Sequence, residues 1–321
     1  KILIMKKNLR NILVLSLGLI TTIASAQFSA TSLTRIDNTD SDNRTAVQRI
    51  TVGADWNGIH ASSDLSYDVG SNTYASSLYE AYVSTDLFGM CNMTAGRQDL
   101  SFGSGALMSS NGWGLDRYTN DGISLGMSFS GFDVSVGTLN GINQDNNYMN
   151  AGGNFGGADI NILMMNDGDN SAHGYDLGYS VMGVDLSYSM NSDYEDREMT
   201  SMGAGYSMGD LGLSYAMTSY DGAFNMNDSE GNATTAQGGG WANGVLGYQN
   251  AGTEVTSMGL SYELAGISLG YTAHSIDDNG TETDATAISL GYSLNDNAHL
   301  GILRIDDNGN ESTWLTVKIG L

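Results

Sequence analysis

Apolar residues alternate with small or polar residues along most of this chain. In the stretch 122–129 (GISLGMSF) every second residue is apolar, and the residues between are glycine or serine. A period of two puts successive side chains on opposite faces of an extended strand, so this stretch predicts a β-strand with one apolar face. The same alternation recurs in the segments 59–69, 175–181, 184–190, 267–271 and 315–321.

Short turn signals and longer polar segments alternate between the predicted strands. Eight short turns predict eight hairpins, at Asn57-Gly58, Phe88-Gly89, Ser130-Gly131, Gly156-Gly157, Met182-Gly183, Gly209-Asp210, Ala265-Gly266 and Asn295-Asp296. Terminal strands at 28–36 and 312–321 bring the total to eighteen, with sixteen as the alternative. Short turns at one end, longer acidic loops at the other and strands of about 9–11 residues are typical of bacterial outer-membrane proteins. We therefore predict an all-β fold, a transmembrane antiparallel β-barrel with both termini on the tight-turn side.

The first residues have the features of a secretory signal peptide. A basic segment at 6–10 (KKNLR) precedes an apolar run of nine residues and the small-residue site Ala24-Ser25-Ala26. We expect residues 1–26 to be removed as a signal peptide, with residues 1–4 upstream of the natural start. Residues 27–321 should then form a single barrel domain.

The mature chain is strongly acidic. The formal net charge of the full sequence is −24 at pH 7, and removal of residues 1–26, which hold four basic and no acidic residues, makes it −28. This charge argues against nucleic acid as a partner. Proline is absent, which suits long ladders of backbone hydrogen bonds, and the one cysteine, Cys91, has no second cysteine for an intramolecular disulfide.

Two other classes of protein share part of this pattern. A soluble β-sandwich shows the same alternation, but the signal peptide, the asymmetry between turns and loops and the strand number favour the barrel. An enzyme needs catalytic groups close together, and no Ser/His/Asp or metal-ligand spacing accompanies the dispersed histidines His60, His173, His274 and His299. We therefore expect no enzyme activity, no cofactor and no resident metal ion. The acidic segments 37–43, 277–281 and 306–310 have two open interpretations. They bind divalent cations weakly, or they are plain surface charge.

An apolar face towards lipid leaves the opposite face to line the lumen. The inward set predicted by the alternation consists of charged residues and two histidines: Arg35, Arg49, Asp55, His60, Asp64, Glu80, Asp86, Asp133, Asp176, Asp185, Glu263, His274 and Lys318. The first and last strands of a closed barrel pair, so one wall should carry four cations, Arg35, Arg49, Arg97 and Lys318. Arg97 joins this wall only if a bulge at Gly96 turns it inward. A basic wall facing acids would filter solutes by charge, although charges scattered over a hydrated wall are the alternative.

A long loop follows the predicted fifth strand. Residues 101–121 are rich in glycine and serine, yet they include the bulky aromatics Trp113 and Tyr118. Such side chains need an inner wall to pack against, so we predict that this loop folds into the lumen and forms the constriction. The loop at 221–252 is the competing plug. The predicted pore-lining and constriction residues, with Asp116 or Arg117 opposite the basic wall, are Arg35, Arg49, Arg97, Asp116, Arg117, Glu80 and Lys318.

The same region resembles a known family. The run GRQDLSFG at 96–103, the spaced Trp113 and the sequence RYTNDG at 117–122 resemble the corresponding segment of alginate-export-type outer-membrane porins. GRQD followed by a loop is also similar to general diffusion porins. The resemblance implies an eighteen-stranded barrel with a basic lumen for an anionic sugar polymer. The mature chain departs from that expectation in its single lysine, Lys318, and in its strong negative charge.

The sequence thus predicts a Gram-negative outer-membrane porin for the passive diffusion of small hydrophilic solutes. Its net charge predicts a preference for cations. The alternative function is that of a non-conducting barrel with a structural or surface-binding role. The expected partners are outer-membrane lipids or lipopolysaccharide and the solutes or ions that pass through the pore. A homo-oligomer is possible. No nucleic acid is expected as a partner.

Overall fold

The computed structural model describes residues 27–40, 44–110, 117–139, 146–228, 233–238, 241–242 and 245–320. The predicted signal peptide lies outside these ranges. The strands are β1 (Gln27–Asp37), β2 (Thr45–Trp56), β3 (Ile59–Asp68), β4 (Thr73–Leu87), β5 (Cys91–Gln98), β6 (Asn120–Phe129), β7 (Phe132–Thr138), β8 (Asn147–Phe155), β9 (Ala158–Asp167), β10 (Asn170–Val181), β11 (Val184–Ser192), β12 (Glu198–Met208), β13 (Leu211–Tyr220), β14 (Trp241–Ala242), β15 (Val245–Leu246), β16 (Thr253–Leu264), β17 (Ile267–Asp278), β18 (Thr281–Asn295), β19 (Ala298–Asp307) and β20 (Asn310–Gly320).

Eighteen of these strands form one closed antiparallel sheet. Consecutive strands of this set pair with each other, β13 with β16 included, and the sheet closes because β1 pairs with β2 on one side and with β20 on the other. The two short strands β14 and β15 pair only with each other. The predicted eighteen-stranded barrel is therefore confirmed. In the part of the chain that the structure describes, no helix is long and apolar enough to cross a membrane.

Tight turns join the strands at one end of the barrel, at seven of the predicted positions and, for the eighth, one residue later, at Asp296-Asn297. Asn57 and Gly58 have φ angles of 47° and 82°, and Met182 and Gly183 have 53° and 81°. Two consecutive left-handed residues form a type I′ turn, whose twist matches that of the flanking strands. Glycine adopts this conformation without strain, which accounts for its place at the second position. The start of β1 and the end of β20 lie at this same rim.

The opposite end of the barrel carries fewer long loops than predicted. Three of its connections are two-residue turns, at 168–169, 279–280 and 308–309. The acidic DDNG sequences predicted as loops are strand ends and turns, because Asp277 and Asp306 each accept a backbone hydrogen bond from the glycine three residues on, at 2.6 and 2.8 Å. The two longest connections are 99–119, termed loop A, and 221–252, termed loop B.

The two faces of the barrel wall differ as the alternation predicts. Apolar side chains such as Ile123, Leu186 and Leu269 point outward and are exposed, as on a surface that meets lipid. Apolar side chains that are buried lie inside, and most of them belong to the inner faces of β8–β10, β12–β13 and β16–β18 or to loops A and B. The interior is therefore partly filled where the two loops meet this side of the wall.

One bulge changes the inner wall. The β3–β4 register shifts between Ser62 and Ser63, because Ser62 pairs with Glu80 while Ser63 pairs with Leu78. Tyr79 is the extra residue, and it points inward beside Glu80. The bulge predicted at Gly96 is wrong, since the β4–β5 register runs without interruption.

Candidate pore and constriction

Three cations lie on adjacent inward-facing positions where the barrel closes. Leu33 of β1 is the register partner of both Arg49 on β2 and Lys318 on β20, and Arg35 lies two residues from Leu33. The guanidinium carbon of Arg35 lies 4.8 Å from the ring centre of Trp314. The pairing of first and last strands thus builds a basic wall, defined here as Arg35, Arg49 and Lys318.

Arg97 does not belong to this wall. Its register partners are Ala81 on β4 and Asp121 on β6, which share the outward face with Ile123. Its Nε and Nη2 donate to the carboxylate of Asp121 at 2.9 and 2.6 Å. Without a bulge at Gly96, the period of two keeps Arg97 on the outer surface. The prediction that Arg97 lines the pore is wrong.

Arg117, at the returning end of loop A, lies against the inner wall and not across the lumen from it. Its Nε and Nη2 donate to the two carboxylate oxygens of Asp64 at 2.9 and 2.7 Å, and Nη2 also donates to Thr51 Oγ1 at 2.9 Å. Its guanidinium carbon lies 3.1 Å from the ring centre of Tyr79. A bidentate ion pair stacked on an aromatic ring fixes this end of loop A to β2, β3 and β4.

The first half of loop A lies inside the barrel. Ala106, Leu107 and Met108 are at most 2% exposed. The ring of Phe102 packs against that of Tyr148 on the inner face of β8, with centroids 5.2 Å apart. This part of loop A therefore lies against the inner wall, and its role as the constriction stays a prediction.

Gly103 lets loop A approach the wall. Its φ is +56°, and a Cβ at this position would lie 2.0 Å from Asp176 Oδ2. The next residue, Ser104, donates its backbone N–H to that same oxygen at 2.9 Å, while Ser189 donates its hydroxyl to Asp176 Oδ1 at 2.6 Å. Glycine meets both the conformational and the steric requirement of this contact.

Loop B packs on loop A. The Ser109 N–H donates to the carbonyl of Thr234 at 3.2 Å, and the Ala236 N–H donates to the carbonyl of Ser109 at 3.1 Å. The Thr234 hydroxyl also donates to the carbonyl of Leu107 at 2.7 Å. Loop B, the predicted alternative plug, thus packs with loop A in one assembly.

Tyr248 closes the contact between the loops. Its hydroxyl donates to the carbonyl of Ala106, and its ring meets that of Phe224 edge-on at 4.9 Å. Burial raises the pKa of Tyr248 well above its usual range, so the hydroxyl keeps its proton and stays a donor.

A buried carboxylate anchors loop B to the neighbouring connection. Asp193, which is fully buried, accepts hydrogen bonds from Arg197 Nε at 2.7 Å and from the backbone N–H groups of Glu195 and Asn225, both at 2.9 Å. Asn225 belongs to loop B, so the β11–β12 connection holds the start of this loop in place.

Sequence reasoning identified some of these residues and missed others. Trp113 and Asp116 lie outside the described residues, and Tyr118 is half-buried near the end of loop A. The inward positions of Asp64, Glu80 and Asp176 follow from the alternation, but their partners do not. Tyr79 was missed because a bulge interrupts the alternation, and Tyr248 because nothing local distinguishes it from other tyrosines.

Carboxylates line the lumen at the tight-turn rim. Six neighbouring or near-neighbouring hairpins each contribute one acid that the strand register places on the inward face: Asp55, Asp86, Asp133, Asp159, Asp185 and Glu263. Several accept a hydrogen bond from the residue across the turn, as Asp159 does from Asn154 Nδ2 at 2.8 Å. We call this set the rim carboxylates.

No protein-family model and no curated protein matches this chain. Several solved structures match its fold. Pseudomonas aeruginosa OccK8 (OprE) has a TM-score of 0.69 and 14% identity, over 93% of this chain and 98% of that chain. Pseudomonas aeruginosa OpdL has a TM-score of 0.70 and 10% identity, over 93% and 99%. Pseudomonas aeruginosa OccK2 (OpdF), solved in complex with glucuronate, has a TM-score of 0.66 and 12% identity, over 93% and 98%.

At these identities the likeness establishes the fold. The chain has the closed eighteen-stranded barrel of outer-membrane porins. The likeness supports the general porin resemblance of the segment 96–122, and it gives no support to the finer resemblance to alginate-export-type porins.

Proposed function

We propose that this protein is an outer-membrane porin, a passive diffusion channel for small hydrophilic solutes. The observation that supports this proposal most strongly is a closed barrel that is apolar outside and charged inside, with two loops in its interior. The solved barrels that match more than nine-tenths of the chain support the proposed porin function through their shared fold. Outer-membrane lipids, including lipopolysaccharide, would surround the outward face.

We further propose that the channel prefers cations. The mature chain carries an excess of acidic residues, and the rim carboxylates ring much of one mouth. A ring of like charges enriches counter-ions in a pore, and salt screens the effect over about 8–10 Å. The basic wall acts in the opposite sense, and the glucuronate in the OpdF structure shows that a barrel of this fold can hold a carboxylate sugar.

Reversal potentials in a salt gradient across a planar bilayer test this proposal. We expect cation preference at low ionic strength that fades at high ionic strength. Replacing the six rim carboxylates by their amides should move the reversal potential towards anions. Anion preference in the unmodified protein would mean that the basic wall, Arg35, Arg49 and Lys318, governs permeation.

The packed loops favour a second candidate function. Leu107 and Met108 of loop A, and Phe224 and Met226 of loop B, form one buried apolar cluster inside the barrel. A lumen closed at this level would make the protein a non-conducting structural or surface-binding barrel. The same bilayer recording separates the two functions, because a closed barrel gives no current steps.

A further inference from the structure

A cavity of about 660 Å³ lies between the inner wall and the two packed loops. Residues of β8 to β13 line it on the wall side, and residues of loops A and B, among them Ser104, Gln237 and Leu246, line it on the other side. Pockets of this volume hold solutes of the size of a mono- or disaccharide. Since both loops contribute to the lining, the cavity depends on the packing of loop B on loop A.

Charged groups are few in this cavity. Arginine and lysine are absent from the described residues that line it, and it holds two carboxylates. Asp176 accepts the Ser189 hydroxyl at 2.6 Å with one oxygen and the backbone N–H of Ser104 at 2.9 Å with the other. Asp159 accepts a hydrogen bond from Asn154 Nδ2 at 2.8 Å. Neutral amides and hydroxyls therefore supply most of the remaining hydrogen-bonding capacity of the lining.

Two amides of the lining offer hydrogen-bonding atoms of opposite kind. Asn161 Oδ1 accepts from Asn150 Nδ2 at 3.1 Å, and among the described residues Asn161 Nδ2 has no acceptor. Gln237 Nε2 donates to the carbonyl of Ser104 at 3.2 Å, and among the described residues Gln237 Oε1 has no donor. Neither atom is one of the fully buried side-chain atoms that lack a partner, so solvent reaches both. The wall thus presents a donor, and loop B presents an acceptor.

A hydroxyl and an apolar surface complete the lining. Ser201 Oγ accepts the hydroxyl of Thr218 at 3.0 Å, so its own proton is available to another acceptor. The side chains of Met199, Tyr220 and Leu246 lie beside these polar groups. The cavity therefore combines neutral donors and acceptors with an apolar surface.

We propose that this cavity is a binding site for small neutral saccharides. A sugar hydroxyl both donates and accepts, so it meets Asn161 Nδ2 and Gln237 Oε1 alike, and the C–H faces of a sugar ring suit the apolar surface. An ammonium ion has donors only, and a carboxylate has acceptors only and is repelled by Asp159 and Asp176. The proposal names a solute class for the proposed channel and rests on that function only for how the sugar arrives.

Calorimetric titration of the barrel in detergent with D-glucose tests the site. Saturable binding is expected, with D-glucuronate about tenfold weaker and with no displacement of glucose by 1,4-diaminobutane. Asn161→Leu or Gln237→Met should weaken glucose binding about tenfold, because each removes one hydrogen-bonding group at nearly constant size. The matched control is Asn166→Leu, the same substitution at an exposed position of the same strand, β9, which should bind glucose as the unmodified protein does.

Equal glucose affinities for Asn161→Leu and Asn166→Leu would overturn the site, as would glucuronate binding as tight as that of glucose, or displacement of glucose by the diamine. If Asn161→Leu does not fold, Gln237→Met gives the same comparison. Single-channel recording separates this proposal from the proposed function. Normal conductance without glucose binding would defeat the site alone, and glucose binding without conductance would defeat the channel alone.

Discussion

Removal of the Arg117 guanidinium is the sharpest test of how loop A is held. The Asp64 carboxylate is 3% exposed, and Arg117→Ala leaves it with the hydrogen bond from the Thr51 hydroxyl at 2.6 Å. Breaking a buried ion pair from one side costs about 3–5 kcal/mol, because the other charge stays buried without its partner. Released from this contact, the end of loop A should also move, so the single-channel current should become noisier.

Arg97→Ala is the matched control for this experiment. Arg97 also forms a bidentate ion pair, with Asp121, but its side chain is 37% exposed and that of Asp121 is 50% exposed. Exposed pairs contribute about 0–1 kcal/mol, and Arg97 lies on the outer surface, so neither stability nor conductance should change much. This expectation differs from that for a pore-lining arginine, whose removal would alter the current.

Urea unfolding of the refolded barrel in detergent, followed by circular dichroism, measures the difference between the two variants. The double variant Arg117→Ala/Asp64→Ala should recover part of the lost stability, because it removes the unpaired charge as well. Equal unfolding midpoints for Arg117→Ala and Arg97→Ala would refute the argument that burial makes the Arg117 pair the stronger one.

Three further predictions concern the loops and the orientation of the barrel. Deletion of residues 104–118 should raise single-channel conductance, and deletion of residues 225–240 should raise it too, because each loop supports the other. Unchanged conductance in both deletion variants would show that neither loop forms the constriction. Gly103→Ala should destabilise loop A and increase current noise, because a Cβ would lie 2.0 Å from a carboxylate oxygen. Gly238→Ala is the control, since a Cβ there meets open space, and it should have neither effect. Limited proteolysis compares the stability of the loops in the two variants. A tag inserted at Asn308, in a turn opposite the tight-turn rim, should be labelled on intact cells, and labelling only after permeabilisation would reverse the orientation.

Much of the fold was predictable from the sequence because it depends on local chemistry. The period of two decides which side chains share a face, and turns such as Met182-Gly183 are recognisable from a glycine that adopts positive φ without strain. Counting these turns gives eighteen strands, and pairing of the first and last strands brings Arg35 near Lys318. Each of these inferences needs only neighbouring residues and the closure of the sheet.

Local rules failed where a neighbouring strand or a short side chain changed the outcome. The DDNG segments became tight turns because an aspartate side chain bonds the glycine N–H three residues on, as Asp306 does. The bulge formed at Tyr79 and not at Gly96, so Arg97 remained on the outer face. A bulge depends on the register with the adjacent strand, which a single segment does not specify.

The candidate site depended on tertiary structure. Arg117 and Asp64 are separated by 53 residues, and Thr234 and Leu107 by 127, so no local pattern joins them. The sequence by itself determined a barrel with charged residues inside and a loop able to enter it. Which carboxylate holds that loop, and which second loop covers it, was decided by the closed sheet, because only closure brings distant strands and loops into one interior.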